Sequence, residues 1–234
     1  MKSSPKTRLR IYSSHSDRAV SSDLEHEYLA MMPPKIHAAI LRYVRWQDRQ
    51  AALFGKLLLL RALRTKLNDT WPQGLESLDL TPYGKPFIRG GPEFNISHSG
   101  GMVVLAMVQA GKVGIDIEEV RAVDTADFSR HLPEIAHLDG KRNCDDINNI
   151  FFDCWTQKEA VLKGHGAGLS VPMEQVVIRG STALLHGTRW HTRKLLISEA
   201  YCCHVATDRQ PEEVTIQRVD LLNGDPISDN PPLR

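Results

Sequence analysis

The stretch Phe151 to Pro172, FFDCWTQKEAVLKGHGAGLSVP, constrains this chain more than any other. Read as a helix, it sets Phe151, Trp155, Glu159 and Lys163 four residues apart on one stripe. A solvent-facing stripe does not normally begin with two aromatics, so the spacing predicts an inward face. That face carries a carboxylate and an ammonium with it, and charges taken out of water need partners. The glycines of Gly164-His165-Gly166-Ala167-Gly168 stop the helix and allow a tight turn. The plain alternative is an amphipathic helix whose Glu159 and Lys163 form a surface pair worth about 0.3–0.5 kcal/mol.

Partners for such a face are available upstream. Val113 to Glu119 (VGIDIEE) alternates as a strand, with Val113, Ile115 and Ile117 on one side and Gly114, Asp116 and Glu118 on the other. The two acidic side chains start roughly 7 Å apart, a reach that suits a hard cation such as magnesium with oxygen ligands. A half-buried strand with its acidic side in water has the same pattern. Phe94 to Val108 (FNISHSGGMVVLAMV) predicts strand, polar turn, strand, with Asn95, Ser97, His98 and Ser99 beside two glycines. Small hydroxyls and exposed amides in such a turn suit an anion; an ordinary polar hairpin is the competing reading. In Thr81-Pro82-Tyr83-Gly84-Lys85-Pro86-Phe87, Pro86 biases Lys85 toward an extended backbone, where it can reach a phosphate or a base edge.

The remaining pattern is mixed. Leu9 to Ser13 predicts a first strand, Asp23 to Met32 a short helix, and Lys35 to Leu67 two helices split near Trp46 to Asp48. The arginines of that region are expected to form a solvated face. Asn68 to Gly74 is a connector and Leu75 to Leu80 a strand. Phe128 to Leu138 is expected to be partly helical. Glu174 to Arg179, Leu184-Leu185, Leu195 to Ile197, Tyr201 to Ala206 and Thr215 to Val219 predict short strands, and Ser228 to Arg234 a disordered tail. At 234 residues and 41% hydrophobic content, one large domain or two modest ones can build a real core.

Composition excludes more than it proposes. Lysine and arginine (29) nearly equal aspartate and glutamate (28), so global charge argues for neither nucleic acid nor a membrane surface. There is no apolar run of about 18 residues and no signal-peptide core, so a soluble cytoplasmic protein is expected. Cys144, Cys154, Cys202 and Cys203 make no CxxC pair or zinc-type spacing and are expected to be reduced, mostly buried thiols.

Four features stand in order: Gly84-Lys85-Pro86, Asn95-Ile96-Ser97-His98-Ser99, Gly114-Ile115-Asp116-Ile117-Glu118, and Trp155-Thr156-Gln157-Lys158-Glu159-Ala160 followed by Lys163 and Gly166-x-Gly168. The ordered set resembles the 4′-phosphopantetheinyl transferase superfamily in its long, Sfp-type form. The resemblance covers about Leu29 to Pro172, since Arg42-Tyr43 and Asp48-Arg49 with Gly55 also look like the family's N-terminal helices. It implies an α+β fold of two pseudo-twofold-related halves, about 1–112 and 113–234, in a monomer with the active site in the cleft between them.

The resemblance also implies a reaction. A serine of an apo acyl, peptidyl or aryl carrier protein takes phosphopantetheine from coenzyme A and releases adenosine 3′,5′-bisphosphate. Asp116, Glu118 and Glu159 would hold Mg²⁺, with Glu159 helping to remove the serine proton. Lys158 and Lys163 would grip the pyrophosphate, Ser97 and His98 would contact the 3′-phosphate side, and Lys85 would line the adenine and phosphate pocket.

The chain departs from the family pattern in places. Met32 to Ile40 offers only Lys35 and His37 as basic residues for a 3′-phosphate, and Arg42, Arg45 and Arg49 are left without a role. Phe128, Leu132, Pro133 and Glu134 stand where a phenylalanine-rich carrier-docking helix is usual, and Ala167 replaces a common lysine or valine. Two other readings share the features: a non-catalytic module that binds coenzyme A or a carrier protein, and another Mg²⁺-dependent phosphoryl-transfer enzyme. The second lacks a P-loop.

Overall fold

Strand β6, Val113–Glu119, is covered on both faces. Val113, Ile115 and Ile117 enter a core shared with Leu9, Ile11, Val104, Ala106 and Val205, while Gly114 and Asp116 lie under a long helix. The alternation predicted this division but not the burial of its polar side. The computed structural model describes residues 7–64, 74–124, 128, 132, 134 and 144–225, the side chains of 144, 145 and 169 apart. The expected helix over 128–138, most of the connector over 68–74, the tail over 228–234 and the side chain of Cys144 lie largely or wholly outside that set.

Two sheets carry the architecture. The first has the order β11-β1-β5-β4, from β11 (Glu213–Arg218), β1 (Arg8–His15), β5 (Met102–Val108) and β4 (Glu93–Ser99). The second has the order β6-β10-β9-β8-β7, with β10 (Tyr201–Thr207), β9 (Thr188–Lys194), β8 (Thr182–Leu185) and β7 (Val177–Arg179). Strands β2 (Leu78–Leu80) and β3 (Pro86–Ile88) form a separate ribbon. Within each sheet every pairing is antiparallel except β1 with β11, which is parallel. The late strand β11 thus returns to the first sheet.

Every residue of β5 is buried, and its period of two divides between two cores. Val103, Leu105 and Met107 meet helix α3 (Trp46–Arg64) in one, and Met102, Val104, Ala106 and Val108 face the second sheet in the other. Fully burying one such side chain contributes about 1.5–3 kcal/mol. Helix α4 (Cys144–His165) covers the outer face of the second sheet through Ala160, Val161, Trp190, Cys202 and Ala206. This is an α+β fold of two sheet-containing halves, each backed by one long helix.

Helix α1 (Ser22–Ala30) starts where the Ser21 hydroxyl accepts from the Leu24 amide at 3.3 Å. Helix α2 (Pro34–Ile40) begins with proline at its first position. It ends earlier than the apolar pattern suggests, because Tyr43 and Val44 lie in an exposed turn, Val44 at 95% exposure. The expected strand over Leu75 to Leu80 is half a 3₁₀ turn, Gly74–Ser77, before β2. Leu195 to Ile197 lies beyond the end of β9, with Leu196 at 90% exposure. Likewise Glu174 to Arg179 divides into a 3₁₀ turn and β7.

Candidate active site and metal centre

The edge strands β4 and β6 belong to different sheets, and side chains join them. Asn95 Oδ1 accepts from the Ile115 amide at 2.9 Å, the Ser97 hydroxyl donates to Asp116 Oδ1 at 3.1 Å, and the Ser99 hydroxyl donates to Glu118 Oε2 at 2.6 Å. These three residues alternate along β4, so one face of that strand supplies every link. Ser99 Oγ also accepts from the Glu119 amide at 3.2 Å.

Asp116 is the centre of the arrangement at 2% exposure. Its Oδ1 also accepts from the Lys163 ammonium at 2.5 Å, and that ammonium donates to Ser97 Oγ at 2.9 Å. Its Oδ2 is buried with no hydrogen-bond partner. Burial pushes the Asp116 carboxyl above the ordinary carboxylate range; the charge and hydrogen bond of Lys163 oppose this, while Glu118 adds to it. Burial likewise raises Glu159, with the Asp116 charge adding and Lys163 opposing. Asp116, Glu118, Glu159, Lys163 and Ser97 therefore share one neighbourhood.

The donor set fits a hard dication. It offers carboxylate oxygens, one of them buried and unpartnered, beside a charge that a cation would replace. The Asp116, Glu118 and Glu159 oxygens are not drawn together as one tight cluster. Among the described residues the set whose ligand atoms all lie within 4.8 Å belongs to Asp153, Cys202 and His204.

Lys158, expected beside Lys163 at a pyrophosphate, has a different setting. It is wholly buried, and its ammonium pairs with Glu134 Oε1 at 3.0 Å. Five residues along a helix is about 140° of rotation, so the two lysines leave α4 in different directions.

Lys85 occupies the seam between the halves. Its ammonium pairs with Glu93 and donates to the carbonyls of Gly164 at 3.2 Å and Val113 at 3.3 Å. Gly84 turns the chain before it at φ 83°, and the Lys85 amide donates to Thr81 Oγ1 at 3.0 Å. His98 lies on the other side of β4 from Ser97, with an exposed rim. The protein crowded around it lowers its pKa, as does the Lys163 charge, while Asp48 opposes them.

One cavity borders Glu159 and Lys163, and a second lies against α2, α3 and β2. The first, about 520 Å³, is lined by Trp155, Glu159, Leu162, Lys163, Val171 and Met173. The other, about 600 Å³, gathers Lys35, Arg42, Tyr43, Lys56 and Asp79. Lys56 escaped the sequence reading, because a lone lysine in a leucine-rich helix has no motif around it. Burial lowers its pKa.

Carboxylates, a lysine and hydroxyls thus meet at the side-chain junction of two sheet-containing halves in an α+β protein. Comparison with known proteins gives the family. The model described as "4'-phosphopantetheinyl transferase, N-terminal" matches residues 20–110, and that of the "4'-phosphopantetheinyl transferase superfamily" matches residues 112–213. The chain is 31% identical over 175 residues to a 4'-phosphopantetheinyl transferase of Bacillus subtilis, covering 73% of this chain and 76% of that protein. It is 26% identical over 178 residues to 4'-phosphopantetheinyl transferase Sfp of Bacillus subtilis (strain 168), with the same coverage. A transferase of Aneurinibacillus migulanus is 36% identical over 137 residues, covering 58% of this chain and 56% of its own. This chain belongs to the 4′-phosphopantetheinyl transferase superfamily.

Proposed function

We propose that this protein transfers 4′-phosphopantetheine from coenzyme A to a serine of an apo carrier protein, with Mg²⁺ as cofactor. The observation that carries the reading is the buried, unpartnered Asp116 Oδ2 beside Lys163, at the side-chain junction of β4 and β6. Family membership supplies the reaction class.

Asp116, Glu118 and Glu159 would hold Mg²⁺, which when bound neutralises charge on the pyrophosphate and leaving group. Glu159, its pKa raised by burial and by Asp116, accepts the proton of the attacking serine hydroxyl. The new bond joins the serine oxygen to the β-phosphorus, and the bond from that phosphorus to the bridging oxygen breaks. Lys163 stabilises the charge that develops on the departing adenosine 3′,5′-bisphosphate. Ser97 orients both Lys163 and Asp116 by hydrogen bonds. His98, Lys35, Arg42 and Lys56 offer positive or donor groups to the 3′-phosphate side, and the Lys85 turn lines the nucleotide pocket. Lys158 serves through its pairing with Glu134, which ties α4 to residue 134.

Division at about residue 112 into coenzyme A-binding and catalytic halves, a monomeric state and a cytoplasmic location complete the reading. Among the described residues no helix is long and apolar enough to cross a membrane. The test is the intact mass of an apo carrier protein after incubation with this protein, coenzyme A and Mg²⁺. A gain of one phosphopantetheine, abolished by chelation, is the expected result. No gain on any of several carriers, while coenzyme A still binds, would overturn the transfer.

A further inference from the structure

Strand β10 carries a second group of metal-binding side chains one strand away from the acidic cleft. Its residues Cys202 and His204 share a face, and Asp153 reaches them from α4. Asp153 Oδ1 lies 3.7 Å from Cys202 Sγ and 3.9 Å from His204 Nε2. A tetrahedral zinc site, with bonds of about 2.3 Å to sulfur and 2.0–2.2 Å to nitrogen and oxygen, has ligand-to-ligand edges of about 3.4–3.6 Å. The two edges to Asp153 need contract by about 0.1–0.5 Å, and the third, between Cys202 and His204, is within 4.8 Å.

Hydrogen bonds fix the imidazole in a ligating form. Thr156 Oγ1 is 2.7 Å from the Phe152 carbonyl and 2.8 Å from His204 Nδ1. The carbonyl can only accept, and the hydroxyl has one hydrogen, so Nδ1 carries the proton and donates to Thr156. Nε2 is then left with its lone pair free, 3.9 Å from Asp153 Oδ1. Orientation of a histidine ligand through its second nitrogen is the usual support of a metal site.

We propose that Asp153, Cys202 and His204 form a second metal site, for a borderline dication of the zinc class, with water completing the tetrahedron. A thiol and an imidazole select such an ion over magnesium, which prefers oxygen. The site uses its own ligands but lies beside the carboxylates of β6, on the same face of the second sheet. Across the β10–β6 pairing His204 lies opposite Asp116 and Cys202 opposite Glu118. Cys202 and His204 are buried, whereas Asp153 and Lys194 are 40% and 50% exposed and leave an approach from solvent. Lys194 holds Asp153 Oδ1 at 2.6 Å, and such an exposed ion pair is weak enough for a dication to displace. On binding, the thiol proton passes to solvent and the ammonium swings outward. The inference stands whether or not the chain is a transferase.

The test is titration of the full chain with Co²⁺ in excess Mg²⁺, followed by absorption. A thiolate-to-cobalt charge-transfer band and tetrahedral visible bands, saturating at one equivalent and displaced by Zn²⁺, are expected. Cys202→Ser should abolish the band, while Cys203→Ser should keep it, because Cys203 faces the opposite core. Asp153→Asn, on the open side and with little risk to folding, should weaken Co²⁺ affinity by at least about tenfold, and Lys194→Met should strengthen it. No band in the wild-type protein at stoichiometric cobalt, a band surviving Cys202→Ser, or unchanged affinity in Asp153→Asn would overturn the site.

Discussion

Gly114 of β6 meets Gly164 of α4 backbone to backbone. A Cβ built on Gly114 would lie 2.2 Å from the Gly164 amide nitrogen and 2.0 Å from the Ala160 carbonyl oxygen. Both obstacles are main-chain atoms of one helix, so no rotamer change relieves them. The close approach seats Glu159 and Lys163 over Asp116, two residues along the strand. Gly114→Ala should therefore push α4 away from β6, with a stability loss of about 3 kcal/mol, at the upper end of ordinary overpacking. Denaturant unfolding checks it; a change under about 0.5 kcal/mol would show that the helix can slide.

Asp116→Ala should abolish turnover and leave the fold in place. The substitution removes a desolvated carboxylate with one orphaned oxygen, and Lys163, at 32% side-chain exposure, can turn to water. The folded state loses little, whereas the cation site loses its buried ligand. Turnover on an apo carrier and a thermal melt check the two halves of this expectation. A mutant with near-normal rate would remove the metal site drawn around Asp116.

Lys163→Ala should lower the chemical rate by about 10²- to 10³-fold, as for a preorganised donor that meets charge in the transition state. Single-turnover measurement with saturating coenzyme A isolates that step. An unchanged rate would confine Lys163 to its ion pair with Asp116.

What the sequence showed depends on the range of the interaction. The α4 stripe and β6 were legible because each has a strong local period, and the spacing placed Glu159 and Lys163 on an inward face. The β4–β5 hairpin was legible because a polar, glycine-containing turn precedes a seven-residue apolar run. The partner of Lys158 was not legible, since Glu134 lies 24 residues away and outside any motif. Nor were two acceptors of Lys85, which are backbone carbonyls and leave no mark in side-chain identity. Leu195 to Ile197 misled because three apolar residues carry no alternation to separate a strand from a turn. Lys56 was hidden by its leucine neighbours, although its helix was plain.

Mg²⁺ should stabilise the protein more at pH 7.5 than at pH 5. Asp116 and Glu159 both have raised pKa values. Such a carboxyl favours the fold fully below its unfolded value of about 4, and that contribution is lost as pH rises through the folded value. As pH rises through their folded values the two groups ionise and cease to favour the fold, and a dication relieves their charges; as pH falls protons compete with it. His204, held down to about 4 mainly by burial, acts oppositely. It contributes stability above about 6.5 that is lost as pH falls toward 4. Comparing melts with and without Mg²⁺ at each pH cancels that contribution. An equal Mg²⁺ shift at both values, or one that survives Asp116→Ala, would place the cation elsewhere.

Lys85→Met should cost stability before it costs coenzyme A binding. The side chain is 11% exposed, and its ammonium meets Glu93, the Val113 carbonyl and the Gly164 carbonyl, so it ties β4, β6 and the end of α4 together. Methionine keeps the stem and strands the carbonyls, each an acceptor without a replacement donor. Glu93, at 30% side-chain exposure, can rehydrate, which keeps the loss to about 1–3 kcal/mol. Denaturant unfolding gives that number, and calorimetric titration with coenzyme A well below the melting transition gives the affinity separately. A stability loss with an affinity change under about threefold, less than 1 kcal/mol, assigns the ammonium to the seam and leaves only its turn to line the pocket. A large affinity loss in a variant of unchanged stability would instead mean that the ammonium leaves Glu93 for the nucleotide when coenzyme A is bound.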